Sequence, residues 1–210
     1  MKVIAFAGLA RAGKTTAANI LAEIYTKNGH DVRIMSFAEP MKRAAKRIGL
    51  DKDKDPIKYR DTLQRWGSTR RDPKFRPGVS GPHYWADRVL AELIEMKIEE
   101  KHNYMMYDCA DAATLFRDKV IIFDDCRYPN EVEMIASING ITVFVDGISR
   151  ITDPLAEWRH HESEQMAWQY TFGLIPDEVF DYYMVNDDDV DALRSKLNRH
   201  SMTWFEEMIT

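Results

Sequence analysis

The amino-acid sequence predicts an α/β fold with a central, mostly parallel sheet of five strands flanked by helices. Short apolar runs rich in β-branched residues recur along the chain, and segments of helical length separate them. The runs are residues 2–7, 32–37, 120–123, 141–145 and 182–185. Because parallel strands need crossover connections, which are usually helical, this alternation indicates three layers with the sheet in the middle.

The segments between these strands have the spacing of amphipathic helices. In residues 14–25 and 84–100, apolar side chains recur every three or four positions, which places them on one face of each helix. Two further helices are predicted over 41–48 and 130–138, each just after a proline, because proline fits the first turn of a helix. The acidic residues 187–191 are predicted to begin the last helix, where carboxylates complement the positive end of the helix dipole.

Length and composition indicate a single soluble domain. The chain has 210 residues, of which 45% are hydrophobic and 30% are charged, as in ordinary globular proteins. No apolar stretch approaches the roughly 20 residues that cross a bilayer, so we expect no membrane association and a cytoplasmic location. The two cysteines, Cys109 and Cys126, form no CxxC pair, which argues against a disulfide framework or a zinc site.

The charge balance disfavours a general nucleic-acid binder. Lys and Arg number 29 and Asp and Glu number 34, for a formal net charge of −5. Non-specific binding depends on neutralising phosphates with basic side chains, so we expect no stable nucleic-acid binding. Residues 60–76 nevertheless hold six Lys or Arg against two Asp. A basic concentration within an acidic chain favours a small anionic ligand over a merely solvated face.

Residues 8–15, with the sequence GLARAGKT, give the strongest chemical signal. They match the pattern G-x-x-x-x-G-K-[ST] directly between the first strand and the first helix, as in P-loop NTPases. Glycines let the backbone curl so that its N–H groups point at phosphates, and the following helix adds its positive end. Lys14 supplies a mobile positive charge for the β- and γ-phosphates of ATP. The candidate ATP-binding residues are Gly8, Arg11, Ala12, Gly13, Lys14, Thr15 and Thr16.

A magnesium site is predicted beside this loop. The hydroxyl of Thr15 is the kind of hard oxygen ligand that Mg²⁺ prefers. The apolar run 120–123 ends in Asp124 and Asp125, and a carboxylate at the end of a neighbouring strand is the second part of such a site. Asp124 is the better candidate, with Asp125 as the alternative one residue along.

Further patterns favour a kinase among P-loop proteins. The tetrad Asn-Lys-x-Asp of guanine-binding switches does not occur, and assembly ATPases carry a glutamate where this chain has Asp125. A kinase for a phosphorylated acceptor needs arginines outside the P-loop, and the segment 60–76 together with Arg43 and Arg47 meets this requirement. Aromatic side chains lie among these basic residues. A nucleobase could stack on one of them, with core packing as the alternative for each.

Five more segments occur in order along the chain: SFAEPMK at 36–42, LQRWG at 63–67, YWADR at 84–88, DDCRYPNE at 124–131 and HESE at 161–164. With these segments and the P-loop, the chain resembles the deoxynucleoside monophosphate (dNMP) kinases of tailed bacteriophages, and the resemblance covers most of the chain. These kinases belong to the wider group of P-loop nucleoside monophosphate kinases. The resemblance implies Mg²⁺-dependent transfer of the ATP γ-phosphate to a dNMP, giving ADP and the deoxynucleoside diphosphate for DNA precursor supply.

The resemblance also implies roles for single residues. Lys14, Arg127 and Arg150 are implied to act in phosphoryl transfer, with Arg159 as a second candidate beside Arg150. Thr15 and Asp124 are implied to hold the metal. The residues implied to bind the acceptor are Phe37, Lys42, Arg43, Arg65, Trp66, Arg70 and Trp85.

The implied organisation is one kinase domain over residues 1–210, with a mobile acceptor-binding helical region at 38–105 and a short lid at 149–165. Within the HESE segment, His161 and Ser163 are typical of a helix start, so a capping or lid-anchoring role is favoured over catalysis. Two alternatives stay open: a kinase for another phosphorylated small molecule such as phosphomevalonate, and an ATP-dependent binding or assembly module. The sequence is also compatible with a homodimer.

Overall fold

The computed structural model describes residues 1–106, 119–150 and 161–208 of the chain. The strands are β1 (Lys2–Ala7), β2 (Asp31–Met35), β3 (Lys119–Cys126), β4 (Ile141–Asp146) and β5 (Tyr182–Val185). The helices are α1 (Lys14–Lys27), α2 (Glu39–Arg47), α3 (Pro56–Arg71), α4 (Tyr84–Met106), α5 (Pro129–Ser137), α6 (Gln165–Thr171) and α7 (Val190–Glu207). No helix within these ranges has the length and apolar character needed to cross a membrane.

The five strands form one sheet in the order β2-β3-β1-β4-β5, and every neighbouring pair is parallel. The predicted α/β class with a five-stranded parallel sheet is therefore confirmed. Two strand ends differ from prediction by more than one residue: β2 ends at Met35, and β3 continues to Cys126. With β1 between β3 and β4, the carboxyl ends of all three strands meet at one edge, where ligands bind in open α/β sheets.

Contacts between Cα atoms divide the chain into two compact units. The first unit contains Met1–Ser36 and Tyr104–Thr210 and therefore holds the whole sheet. The second unit is Phe37–Asn103 and is helical, with α2, α3 and most of α4. The predicted acceptor-binding region, 38–105, covers nearly the same residues as this second unit. Its role stays a prediction.

The core of the first unit lies on both faces of the sheet. On one face, α1 and α7 pack against the strands through fully or almost fully buried side chains: Ile4, Phe6, Leu21, Ile122, Val143, Leu197 and Trp204. On the other face, α5 contacts β1 and β4, and Phe144 of β4 lies against the rings of Tyr170 and Phe180 at centroid distances of 4.5 and 5.2 Å. The sheet is thus the middle of three layers.

Local signals place several helix ends where the sequence predicts them, but they did not reveal α3. The side chain of Asp189 accepts a hydrogen bond from the Ala192 N–H at 2.9 Å, so α7 begins within the acidic run. Helix α3 was not predicted, although Asp55 caps it and Pro56 follows in the first turn. Its buried positions are occupied by Thr62 and Gly67, which leaves no apolar stripe for a periodicity argument to detect.

Candidate active site

The loop between β1 and α1 has the curled backbone that its sequence predicts. Gly8, Arg11 and Gly13 all have positive φ angles, of 134°, 68° and 99°. The Ala12 N–H donates to the Leu9 carbonyl at 3.1 Å, which closes a tight turn inside the loop. This loop lies at the carboxyl end of the central strand and runs directly into the first turn of α1.

Two residues that the sequence analysis missed hold the loop from outside. The Asn186 side-chain amide donates to the Ala12 carbonyl at 2.7 Å and is buried. A Cβ atom at Gly147 would lie 2.7 Å from the Ala12 backbone, so only glycine allows this close approach. Both residues directly follow a strand, β5 for Asn186 and β4 for Gly147. That position next to a strand end is the signal that would have marked them as site residues.

Lys14 is buried under the loop, with 6% of its surface exposed. Its ammonium group donates to the carbonyls of Gly8 and Leu9, both at 2.8 Å. The pKa of Lys14 is lowered to about 8, mainly by burial and also by the nearby Arg127 guanidinium. The carboxylates of Glu164, Asp125 and Asp124 act in the opposite direction. The P-loop lysine therefore shares one charged cluster with the end of β3 and with Glu164.

Thr15 and Asp124 meet at the start of α1, where the Thr15 hydroxyl donates to Asp124 Oδ2 at 2.9 Å. Asp125 instead accepts a hydrogen bond from the Ser36 hydroxyl. β3 carries one more residue than β1 at this point, since Ala5 pairs with Phe123 and Ala7 with Cys126. A threonine hydroxyl and a carboxylate are hard oxygen donors that fit Mg²⁺, so this pair could hold the ion.

Arg127 lies one residue beyond β3, and its backbone is fixed by Glu131. The Glu131 carboxylate accepts hydrogen bonds from the Arg127 and Tyr128 N–H groups at 2.7 and 3.2 Å. The Arg127 guanidinium forms an ion pair with Glu164, which is 2% exposed. Glu131 follows Pro129 by two positions at the start of α5, so its capping role could have been found from the proline and the acidic residue in the first turn.

The HESE segment begins a short 3-10 helix over Glu162–Glu164, as its sequence predicts. His161 Nδ1 accepts a hydrogen bond from the Ser163 N–H at 3.2 Å, which makes His161 the cap of this turn. The turn directs Glu164 to the P-loop, where Glu164 Oε2 accepts a hydrogen bond from the Ala10 N–H at 2.7 Å. The structure thus assigns the segment a contact with the P-loop that the sequence analysis did not foresee.

The predicted acceptor residues lie in the second unit, where their environments differ. Phe37 and Trp85 are buried. The Trp85 indole N–H donates to the Gly67 carbonyl, with 3.4 Å between Nε1 and the oxygen. Trp66 is half-buried. Trp85 therefore packs in the interior of its own unit. Trp66 is the more exposed of the two tryptophans and so the better candidate to contact a ligand.

The basic residues of the second unit are also distinguishable by their contacts. Arg43 of α2 forms an ion pair with Glu92 of α4. The Arg70 guanidinium lies over the rings of Phe75 and Tyr84, at 5.3 and 5.5 Å from their centroids. Arg65 is exposed on α3, and Lys42 is half-buried on α2. These four cations remain predicted acceptor contacts.

The predicted lid is only partly described. Residues 151–160, which include Arg159, lie outside the described residues, and for Arg150 only the backbone is described, at the end of a 3-10 helix over Ile148–Arg150. The implied roles of both arginines therefore stay predictions.

The sheet order, the curled loop and the Thr15 and Asp124 pair define a P-loop NTPase-type α/β fold. Solved structures similar to the chain include the crystal structure of APE1195, with 15% identity, a TM-score of 0.43, and coverage of 96% of this chain and 95% of that chain. They also include the structure of the Mycobacterium tuberculosis APS kinase CysC in complex with AMPPNP and APS, with 13% identity, a TM-score of 0.39, and coverage of 94% and 95%. No protein-family model and no curated protein matches the sequence.

Proposed function

We propose that the protein is an ATP-dependent phosphotransferase that converts a deoxynucleoside monophosphate to the diphosphate. The observation that carries the proposal is the grouping of Lys14, Thr15, Asp124 and Arg127 at the carboxyl end of the central strands. Two cations and a pair of hard oxygen ligands beside a P-loop provide what transfer of a γ-phosphoryl group requires.

The proposed reaction is a direct in-line displacement. An oxygen of the acceptor monophosphate forms a bond to the γ-phosphorus of ATP, the bond from that phosphorus to the β,γ-bridging oxygen breaks, and ADP leaves. Lys14 and Arg127 stabilise the charge on the transferring group and orient it, while the loop N–H groups bind phosphate oxygens. Mg²⁺ held by Thr15 and Asp124 would neutralise part of the phosphate charge.

The nucleotide acceptor is inferred from the second unit and from the resemblance. Residues 60–76 carry a local excess of four positive charges, and the half-buried Trp66 lies in the same segment as the exposed Arg65. A guanidinium and an aromatic ring in one segment suit a ligand that has both a phosphate and a flat base. A phosphorylated acceptor without a base would use the arginine and leave the ring without a role.

A substrate panel tests the proposal. We expect ADP release with ATP and Mg²⁺ to depend on adding a dNMP, and to stay near background when phosphomevalonate or DNA is added instead. The assay couples ADP formation to a spectroscopic reporter. Stimulation by phosphomevalonate alone would show that the acceptor is a phosphorylated small molecule other than a dNMP. Stimulation by DNA alone would indicate an ATP-dependent binding module.

The variant Arg65→Met tests where the acceptor phosphate binds. Loss of a charged hydrogen bond of about 1.5–3 kcal/mol is expected to raise the KM for the dNMP by roughly 10- to 100-fold, while the KM for ATP stays within twofold. Arg199→Met is the matched control, because Arg199 is also an exposed arginine on a helix but belongs to the first unit. Equal effects of both variants, or none, would contradict the assignment of Arg65.

The variant Thr15→Ala tests the metal site. Removing the hydroxyl takes away one of the two oxygen ligands, so we expect activity at limiting Mg²⁺ to fall by about 10²-fold and the half-saturating Mg²⁺ concentration to rise. Thr26→Ala is the control, since Thr26 is exposed near the other end of the same helix. An unchanged Mg²⁺ titration curve in Thr15→Ala would remove Thr15 from the site.

A further inference from the structure

Glu164 is a buried carboxylate that lies on the phosphate-binding loop. One oxygen accepts a hydrogen bond from the Ala10 N–H at 2.7 Å, and the other is paired with the Arg127 guanidinium. The Ser163 hydroxyl is a further donor to this second oxygen at 3.3 Å. With 2% of its surface exposed, Glu164 is held by the loop and by Arg127 and not by solvent.

These partners are groups that bind a phosphate in the proposed function. Ala10 is an inner residue of the P-loop, whose N–H groups face anions, and Arg127 is the cation proposed to act on the transferring group. A carboxylate offers two oxygens in a fork, as one face of a phosphoryl group does, so its two oxygens can accept from two different donors at once. Glu164 therefore makes with the loop and Arg127 the contacts that a phosphate would make.

The electrostatics of the site point the same way. The Arg127 guanidinium lies close enough to disfavour the charged form of Lys14, and the Glu164 carboxylate favours that charged form. A buried charge is costly unless it is paired, and Glu164 is the anion that the Ala10 N–H and the Arg127 guanidinium pair. A nucleotide phosphate supplies a second anion when it binds, and two anions at the same donors would repel each other.

We infer that Glu164 is an internal competitor for the nucleotide phosphates, occupying the Ala10 N–H and Arg127 until a phosphate group displaces it. The inference rests on the proposed phosphate-binding role of residues 8–15. Displacement of the carboxylate frees Arg127 to contact the phosphate, so that the arginine is engaged only when the nucleotide is present. The cost of the displacement lowers the affinity for the polyphosphate chain.

The experiment measures binding of inorganic tripolyphosphate, which has no base, to the full-length protein by calorimetry at one fixed Mg²⁺ concentration. Glu164→Gln keeps the shape of the side chain and removes its charge. We expect this variant to bind tripolyphosphate about tenfold more tightly than the wild type. Glu162→Gln is the matched control, because it removes the same charge from an exposed position two residues earlier, and its affinity should stay within twofold.

An unchanged or weaker affinity in Glu164→Gln overturns the inference, even if the variant loses stability, because Glu164 would then only neutralise Arg127. Binding by the wild type with no gain in the variant leaves the proposed function intact. Absence of tripolyphosphate binding in every variant overturns both the inference and the phosphate-binding role of the loop. If Glu164→Gln does not fold, Glu164→Asp replaces it: the shorter side chain cannot bridge both partners but keeps its charge, so we expect a smaller gain in affinity, of about threefold, and no gain in this variant overturns the inference as well.

Discussion

Replacing Lys14 by methionine is expected to lower kcat by a factor of at least about 10³, because cations that clamp a transferring phosphoryl group contribute effects of this size. Methionine has nearly the shape of lysine without the ammonium group, so the loop keeps its packing. The measurement is ADP release with a saturating dNMP. Lys27→Met, at the exposed far end of the same helix, is the control and should retain turnover within twofold. Near-normal turnover in Lys14→Met would refute the proposed role of the loop.

The same variant also tests whether Lys14 is buried as a charged group, because a buried charge makes the free energy of unfolding depend on pH. Burial lowers the pKa of Lys14 to about 8 from its ordinary value of 10.5, so between these values the unfolded chain binds the proton more tightly than the folded protein. The charge therefore destabilises the folded state by about 3 kcal/mol below pH 8, and this penalty is lost as the pH rises. Lys14→Met has no such penalty at any pH.

The free energy of unfolding of the wild type should accordingly rise relative to that of Lys14→Met by about 2 kcal/mol between pH 7 and pH 9.5. Urea titrations of both proteins across this pH range measure the difference directly. The free energy of unfolding of Lys27→Met should change with pH as that of the wild type does, since Lys27 is exposed. A difference that does not change with pH would show that Lys14 is not buried as a charged group in the absence of nucleotide.

The parts of the candidate site that the sequence predicts are encoded in contiguous residues. The glycines, Lys14 and Thr15 lie in one stretch whose pattern carries its own mechanism, and Asp124 is marked by its place at the end of an apolar run. The choice between Asp124 and Asp125 depended on the register of β3, where an extra residue interrupts the regular pairing with β1. Periodicity alone does not predict such an interruption.

The parts that sequence reasoning missed depend on contacts between distant residues. Glu164 is 154 positions from Ala10, and Asn186 is 174 positions from Ala12. Neither residue has a local pattern that indicates its partner, because the topology of the sheet brings them together and the sequence motif does not. Helix α3 was missed for a different reason: the few residues it buries are not apolar, so tertiary packing and capping decide its structure.

Gly8→Ala is expected to destabilise the protein strongly. Gly8 has a φ of 134°, and a Cβ atom there would lie 2.3 Å from the Val145 carbonyl oxygen, which belongs to the backbone of β4 and cannot move aside without disturbing the sheet. Backbone strain of about 1–3 kcal/mol and overpacking of about 1–3 kcal/mol act together, so we expect the free energy of unfolding to fall by about 3–5 kcal/mol. Urea unfolding measures this change.

Gly29→Ala separates the two causes, because Gly29 also has a positive φ, of 89°, but nothing lies within 4 Å of the position of its Cβ. It carries the strain without the overpacking and should cost only about 1–2 kcal/mol while leaving ADP release unchanged. Gly8→Ala should in addition lose activity under conditions where it is folded, because relief of the collision with Val145 shifts the loop that we propose binds the phosphates. Equal destabilisation by the two variants would mean that β4 does not pack against the loop at Gly8.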